Sequence, residues 1–138
     1  MPIPLPRTLT PNPMNYYDTI IQTHQDSLGG GSSLHNTLLT KPTDGFMVSV
    51  YGYEYSVPAD CSIGEYISAW MSVQKRAEAI QLREGIHTFV GTWLHDGHIV
   101  FDVSYNIPAW ADAQAMGIAN KQKAIYDVAN GKELFLNQ

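Results

Sequence analysis

The clearest hydrophobic–polar pattern lies between Thr88 and Ile107, where two runs rich in β-branched and aromatic residues flank Asp96-Gly97. That dipeptide readily supplies the two positive φ angles of a type I′ turn, so the segment predicts a tight antiparallel hairpin. With Asp96 and Gly97 as the loop, His95 pairs with His98, Leu94 with Ile99, Trp93 with Val100, Thr92 with Phe101, Gly91 with Asp102 and Val90 with Val103. Directly paired residues share a face. One face then carries Val90, Leu94, Ile99, Phe101, Val103 and Tyr105, and the other carries Phe89, Trp93, His95, His98, Val100 and Asp102.

A second alternating stretch runs from Phe46 to Val57, with Val48, Val50, Gly52 and Glu54 on one side and Met47, Ser49, Tyr51, Tyr53 and Tyr55 on the other. It predicts a strand that Pro58 ends. Ser62-Ile-Gly-Glu65 matches a capping box, with Asp60 as an alternative cap, and Ile63, Tyr66, Ile67, Trp70, Val73, Ala77 and Ile80 recur at helical steps up to Gly85. Pro108 opens a second helical pattern with Trp110, Ala113, Met116, Gly117, Ala124, Ile125 and Val128 on its apolar side and Asn130-Gly131 at its end. Gly117 weakens such a helix by about 1 kcal/mol, which implies a close helix-to-sheet approach or an interruption there. Leu134-Phe-Leu136 fits a short edge strand or a packed tail.

The N-terminal stretch is different in kind. Pro2, Pro4, Pro6, Pro11 and Pro13 block a helix and favour an extended, polyproline-like arm. Tyr17, Ile20, Ile21 and His24 allow one short amphipathic helix within Asn15–Ser27, with Asn15 as its N-cap and Gly29 beyond its end. Leu28-Gly-Gly-Gly-Ser-Ser33 reads as a flexible linker. The expected organisation is an arm, 1–33, followed by a domain, 34–138. That domain has the order β-α-β-β-α: a two-layer α+β fold with a three-stranded, mainly antiparallel sheet and two helices on one face. Tyr51, Tyr53, Tyr55, Phe89 and Trp93 would gather on the helix-free face, an aromatic patch that a monomer seldom leaves in water, and so the expected interface.

Length and charge narrow the classes. At 138 residues the chain suits one domain that buries roughly 68% of its unfolded surface without staples. A net charge of −5, with acids scattered from Asp18 to Glu133, is neither a basic nucleic-acid footprint nor a dense acidic mimic of one. The single cysteine, Cys61, excludes an intrachain disulfide framework and fits a reducing compartment, expected to be the cytosol. No secretory signal pattern is present, and the apolar runs fall far short of the roughly 20 residues of a spanning helix, so no membrane role is expected.

Several short stretches, Gly45-Phe-Met-Val-Ser49, Gly91-Thr-Trp93, Asp96-Gly97, Phe101-Asp-Val-Ser104 and above all Lys123-Ala-Ile-Tyr-Asp-Val-Ala-Asn-Gly-Lys-Glu133, carry a resemblance over residues 45–134. The chain resembles small uncharacterised proteins of tailed bacteriophages and bacterial mobile elements. The resemblance transfers no catalytic residue. It implies an accessory, host-takeover or anti-defence role in the bacterial host cytoplasm, or a place in the virion.

Candidate chemistry is sparse. His95 and His98 face each other across the turn beside Asp96 and could share a Zn²⁺ or Ni²⁺ ion, but a structural site needs about four ligands, and His24, His87 or Asp102 could join only through folding. Solvated turn histidines are the commoner outcome. Cys61 near a helix N-terminus could carry a lowered pKa, although chain order supplies no histidine partner. No phosphate-binding loop, dinucleotide fingerprint, HExxH or GxSxG stretch occurs. Lys75, Arg76, Arg83, Lys121 and Lys123 could form a modest basic patch, more often a solvated helix face. Asn120 falls in an apolar stripe, where a buried amide must find partners. The expectation is therefore a non-enzymatic protein that needs no cofactor and acts by binding a protein partner or itself. The alternatives are a virion decoration subunit that uses the arm, and a small metal-dependent enzyme or binder at the His95/His98 tip.

Overall fold

The computed structural model describes residues 15–136. Asn15 caps the first helix, α1 (Tyr16–Leu28), its Oδ1 accepting the Asp18 amide at 2.9 Å. Strand β1 (Gly31–His35) follows, then β2 (Phe46–Ser49), β3 (Tyr55–Pro58), helix α2 (Ile63–Glu84), strands β4 (Thr88–His95) and β5 (His98–Ile107), helix α3 (Trp110–Ala119), and the closing pair β6 (Ala124–Asp127) and β7 (Lys132–Phe135). Among the described residues the fold is α+β, with three helices and one antiparallel sheet of seven strands in the order β1-β4-β5-β2-β6-β7, and β3 also paired to β5.

The expected hairpin is at the centre of this sheet. Asp96 and Gly97 have φ of 48° and 75°, and the pairs from His95↔His98 to Val90↔Val103 are those the turn dictates. α2 likewise starts and stops where its caps require: Ser62 Oγ accepts the Glu65 amide at 3.1 Å, and Gly85 takes the left-handed conformation at the far end. Its apolar stripe, Tyr66, Ala69, Trp70, Val73, Ala77 and Ile80, is buried against β4 and β5. Tyr66, Trp70 and Phe101 are wholly enclosed, and side chains of this size contribute on the order of 1.5–3 kcal/mol each when removed from water.

Three expectations are corrected. The sheet has seven strands and not three, because segments 31–35, 124–127 and 132–135 also pair and the one strand expected over 46–57 is two. Of the stretch expected as a linker, Leu28 ends α1 and Gly31-Ser-Ser33 opens β1, which is held because Leu34 lies opposite Val90 and His35 opposite Phe89, both pairs buried. Residues 16–35 are thus built into the fold: Thr23 Oγ1 meets the Tyr66 hydroxyl at 2.6 Å, and Ser27 hydrogen-bonds Thr92. The proline-rich segment 2–13, expected as an arm, lies outside the described residues.

The second correction concerns the strand expected over 46–57. It breaks at Tyr51-Gly52, where Gly52 has φ of 86°, a value that glycine adopts at little cost. Five residues separate Ser49 from Tyr55, whereas two separate their partners Ser104 and Phe101. The surplus of three is odd, so the alternation inverts, and Tyr55 and Val57 face the same side as Val48.

Third, the second expected helix ends at Ala119. Asn120 closes it, Lys121 turns left-handed at φ 57°, and residues 124–135 form a hairpin. Ala124, Ile125 and Val128 had helical spacing, but Ile125 is buried between less buried neighbours, the period of a strand. Gly117 reflects close approach: a Cβ there would lie 2.7 Å from Leu136 Cδ1 and 2.9 Å from Ile125 Cδ1. All three helices cover the face that carries Val48, Val90, Phe101 and Val103, with α1 over β1 and β4, α2 over β4 and β5, and α3 over β2 and β6.

Candidate functional site

Beside α2, on the flank away from α1, lies a groove of about 510 Å³. Its strand wall is Tyr53, Tyr55 and Val57, and its helix wall includes Gly64, Ser68 and Ser72 at four-residue steps on one side of α2. Those small side chains leave the room. Tyr55 is 54% exposed even though its ring meets Phe101 edge-on at 6.4 Å. At the far end, the Arg76 guanidinium stands 6.0 Å from the Tyr53 ring centroid. Glu65 marks the opposite end, near the helix N-terminus.

The five aromatic residues expected to share one surface are divided. Tyr53 and Tyr55 line the groove on the helix-bearing side. Tyr51 sits in the preceding turn, 59% exposed, with Lys121 Nζ 4.6 Å from its ring centroid. Phe89 and Trp93 point to the opposite face through the hairpin register, Trp93 half-buried and Phe89 buried against the His35 ring. The odd insertion after Ser49 separates them.

On that second face two titratable groups are sealed. Asp102 accepts a hydrogen bond from Ser49 Oγ at 2.7 Å, and burial pushes its carboxyl up from 3.8 to about 6; the Ser49 bond opposes the rise, and the Glu54 charge adds to it. Gly91 opposite has no room for a Cβ, which would collide with Asp102 Oδ1. His35 Nδ1 accepts the amides of Thr37 and Leu38 at 3.1 and 3.2 Å, so its proton resides on Nε2, which lies 3.0 Å from His87 Nδ1. Burial and then His87 hold the His35 pKa down at about 4.

The other candidates stay apart. His95 and His98 are exposed neighbours at the hairpin tip; His95 Nε2 approaches Asp96 Oδ2 at 3.2 Å and His98 Nδ1 contacts the Asp96 carbonyl at 3.1 Å. His87 stands at the opposite end of β4, His24 rests on the Tyr66 ring, and Asp102 is four residues along β5 from His98, about 13 Å away at the rise of a strand. Among the described residues no group of three or more His, Cys, Asp or Glu is placed to hold a metal ion. The Cys61 thiol is pushed up, by burial first and then by Glu65 and Asp60, the reverse of an activated nucleophile. Of the basic residues, Arg83 pairs with Glu84 at 2.9 Å and Lys121 covers Tyr51, whereas Arg76 serves the groove. Asn120 is a packing device: its Oδ1 accepts the Tyr51 amide at 3.1 Å and its Nδ2 donates to the Met116 carbonyl at 2.9 Å.

Sequence reasoning missed the groove and the sealed Asp102. A signal for the first was present in Gly64, Ser68 and Ser72, whose spacing marks one unfilled helix side. For the second, the pairing of Gly91 with Asp102 was legible, but not its closure by Ser49. No helix among the described residues is long and apolar enough to cross a membrane. Comparison of the chain with family models, with curated proteins and with solved structures finds no match in any of the three.

Proposed function

We propose that this protein is a non-enzymatic accessory protein, of phage or mobile-element origin, that acts by gripping another protein through the surface between β3 and α2. The observation that supports this most is the groove itself. Two tyrosines, one of them more than half exposed, stand beside an open recess with a cation at its end. Tyrosine and arginine suit such surfaces because they bury much area with few rotors and keep a polar tip. A binding role also agrees with the placement of two reactive groups, since the Cys61 thiol is pushed up and Asp102 is sealed by Ser49.

Site-specific cross-linking tests the reading. A photoreactive phenylalanine analogue replacing Tyr55 should give discrete adducts in the producing cell, to a partner or to a second copy. The same group replacing Gln114, exposed on α3, should give none. Indistinguishable adducts from the two positions, or none from Tyr55, would reject the reading.

A further inference from the structure

We infer that the groove receives an extended segment of the partner as an added strand on the outer edge of β3, with an acidic side chain of that segment meeting Arg76. The inference rests on the interaction reading above and narrows it to one geometry. Its first support is the orientation of the β3 backbone. In a two-residue hairpin the closing pair, here His95 and His98, exchanges both hydrogen bonds, and such pairs then alternate along the ladder. The backbone groups of Val100 and Asp102 therefore point to β4, and those of Ile99, Phe101 and Val103 point the other way. The Val50 amide bonds the Val103 carbonyl at 2.8 Å, as this phase requires. Tyr55 and Val57, opposite Phe101 and Ile99, are thus the residues bonded to β5, and Ser56 directs its N–H and C=O outward. Among the described residues β3 pairs with β5 alone and Ser56 is exposed, so this edge offers an unpaired donor and acceptor beside a ready-made recess.

The length of the recess suits an extended segment. From Gly64 to Arg76 the α2 wall is about 18 Å long at the helical rise, the span of about five extended residues. Along an added strand every second side chain would enter the recess between Tyr55 and the serines of α2. Charge gives the occupant its chemistry, because Arg76 ends the recess beside Tyr53 and a carboxylate there gains a charge-assisted hydrogen bond.

The test uses the full chain and a library of random linear peptides. Selected peptides should show apolar residues at alternate positions with Asp or Glu at one end. Methylating their backbone amides one at a time should weaken binding about tenfold or more at the one position whose N–H meets the Ser56 carbonyl and little at the positions on either side. Ser68→Trp, exposed on α2, should fill the recess and abolish binding without loss of helical circular dichroism. Arg76→Glu should weaken acidic peptides about tenfold and restore binding to peptides with Lys in place of the acid. Absence of any selected peptide, methyl sensitivity at adjacent positions or at none, or binding indifferent to Ser68→Trp would each overturn the inference. The broader interaction reading would still stand in those cases if the Tyr55 cross-link persists, so the two failures are distinguishable.

Discussion

Asp102 and His35 are buried on the same face of the sheet and titrate in opposite senses, so replacing one should expose the pH dependence of the other. Asp102 rises from 3.8 to about 6 in the fold. The native state therefore holds its proton more tightly than the unfolded chain. Its contribution to stability is fully present below about pH 4 and is lost as pH rises through 6, a change of about 3 kcal/mol by linkage. His35 falls from 6.5 to about 4. Its contribution is present above about pH 6.5 and is lost as pH falls toward 4, again about 3 kcal/mol. Over the window between those values the two slopes nearly cancel, and the native protein should show a flat profile from this pair. Asp102→Asn keeps the shape and leaves a group able to bond Ser49 without a charge. It should raise stability at pH 7 by up to about 3 kcal/mol and make stability fall toward acid, the His35 slope uncovered. His35→Gln, whose Oε1 can still accept from the Thr37 and Leu38 amides, should show the reverse trend. Urea unfolding at half-unit steps from pH 4 to 7.5 reads both, since 3 kcal/mol moves the midpoint by about 1–3 M at the slopes usual for small domains. A profile for Asp102→Asn parallel to that of the native protein would refute the buried-carboxylate account.

Other perturbations follow from contacts with little freedom to adjust. Gly91→Ala should cost about 1–3 kcal/mol because its Cβ meets Asp102 Oδ1, and the double variant with Asp102→Ala should recover most of the loss in a chemical-denaturation cycle. Gly117→Ala adds helix propensity worth about 1 kcal/mol but drives a methyl against Leu136 and Ile125, so thermal melting should show net destabilisation; a higher Tm would show that the α3–β6 contact is looser than described. Ser62→Ala removes the bond to the Glu65 amide and should cost about 1 kcal/mol, whereas Ser62→Asp should retain stability. At the hairpin tip, His98→Ala should leave the urea midpoint unchanged in the presence or absence of Zn²⁺, and a zinc-dependent rise in the native protein that His98→Ala abolishes would favour the metal reading.

Much of the scaffold was legible in the chain, and the reasons are local. Asp96-Gly97 needs no partner to specify its turn, and the Ser62 and Gly85 caps act within a few residues of the helix they bound, so hairpin and helix could be read in register. Asn15 and Gly29 bounded α1 in the same way. What escaped was set by distant pairing. Gly31 to His35 has the composition of a linker and becomes a strand because β4 presents an edge with Val90 and Phe89 in matching phase. Residues 46–57 keep one alternation on paper, but the surplus residues around Gly52 invert it halfway, which sends Tyr53 and Tyr55 to the helix side and leaves Phe89 and Trp93 on the other. Ile125 satisfied a helical stripe and an alternating strand equally, and its segment is a strand paired with both β2 and β7, neighbours far from it or beyond a turn. The aromatic surface expected from the sequence is thus divided: Tyr53 and Tyr55 line a groove that needs α2 and β3 together to exist.

The outward backbone of Ser56 carries the account, and amide hydrogen exchange resolved by residue tests it most directly. In the free protein the Tyr55 and Val57 amides should exchange slowly and the Ser56 amide fast; on addition of a groove-binding peptide Ser56 should become protected while the His95 and His98 amides at the tip do not change. A Ser56 amide already protected in the free protein, or one that stays fast in the complex, would contradict it.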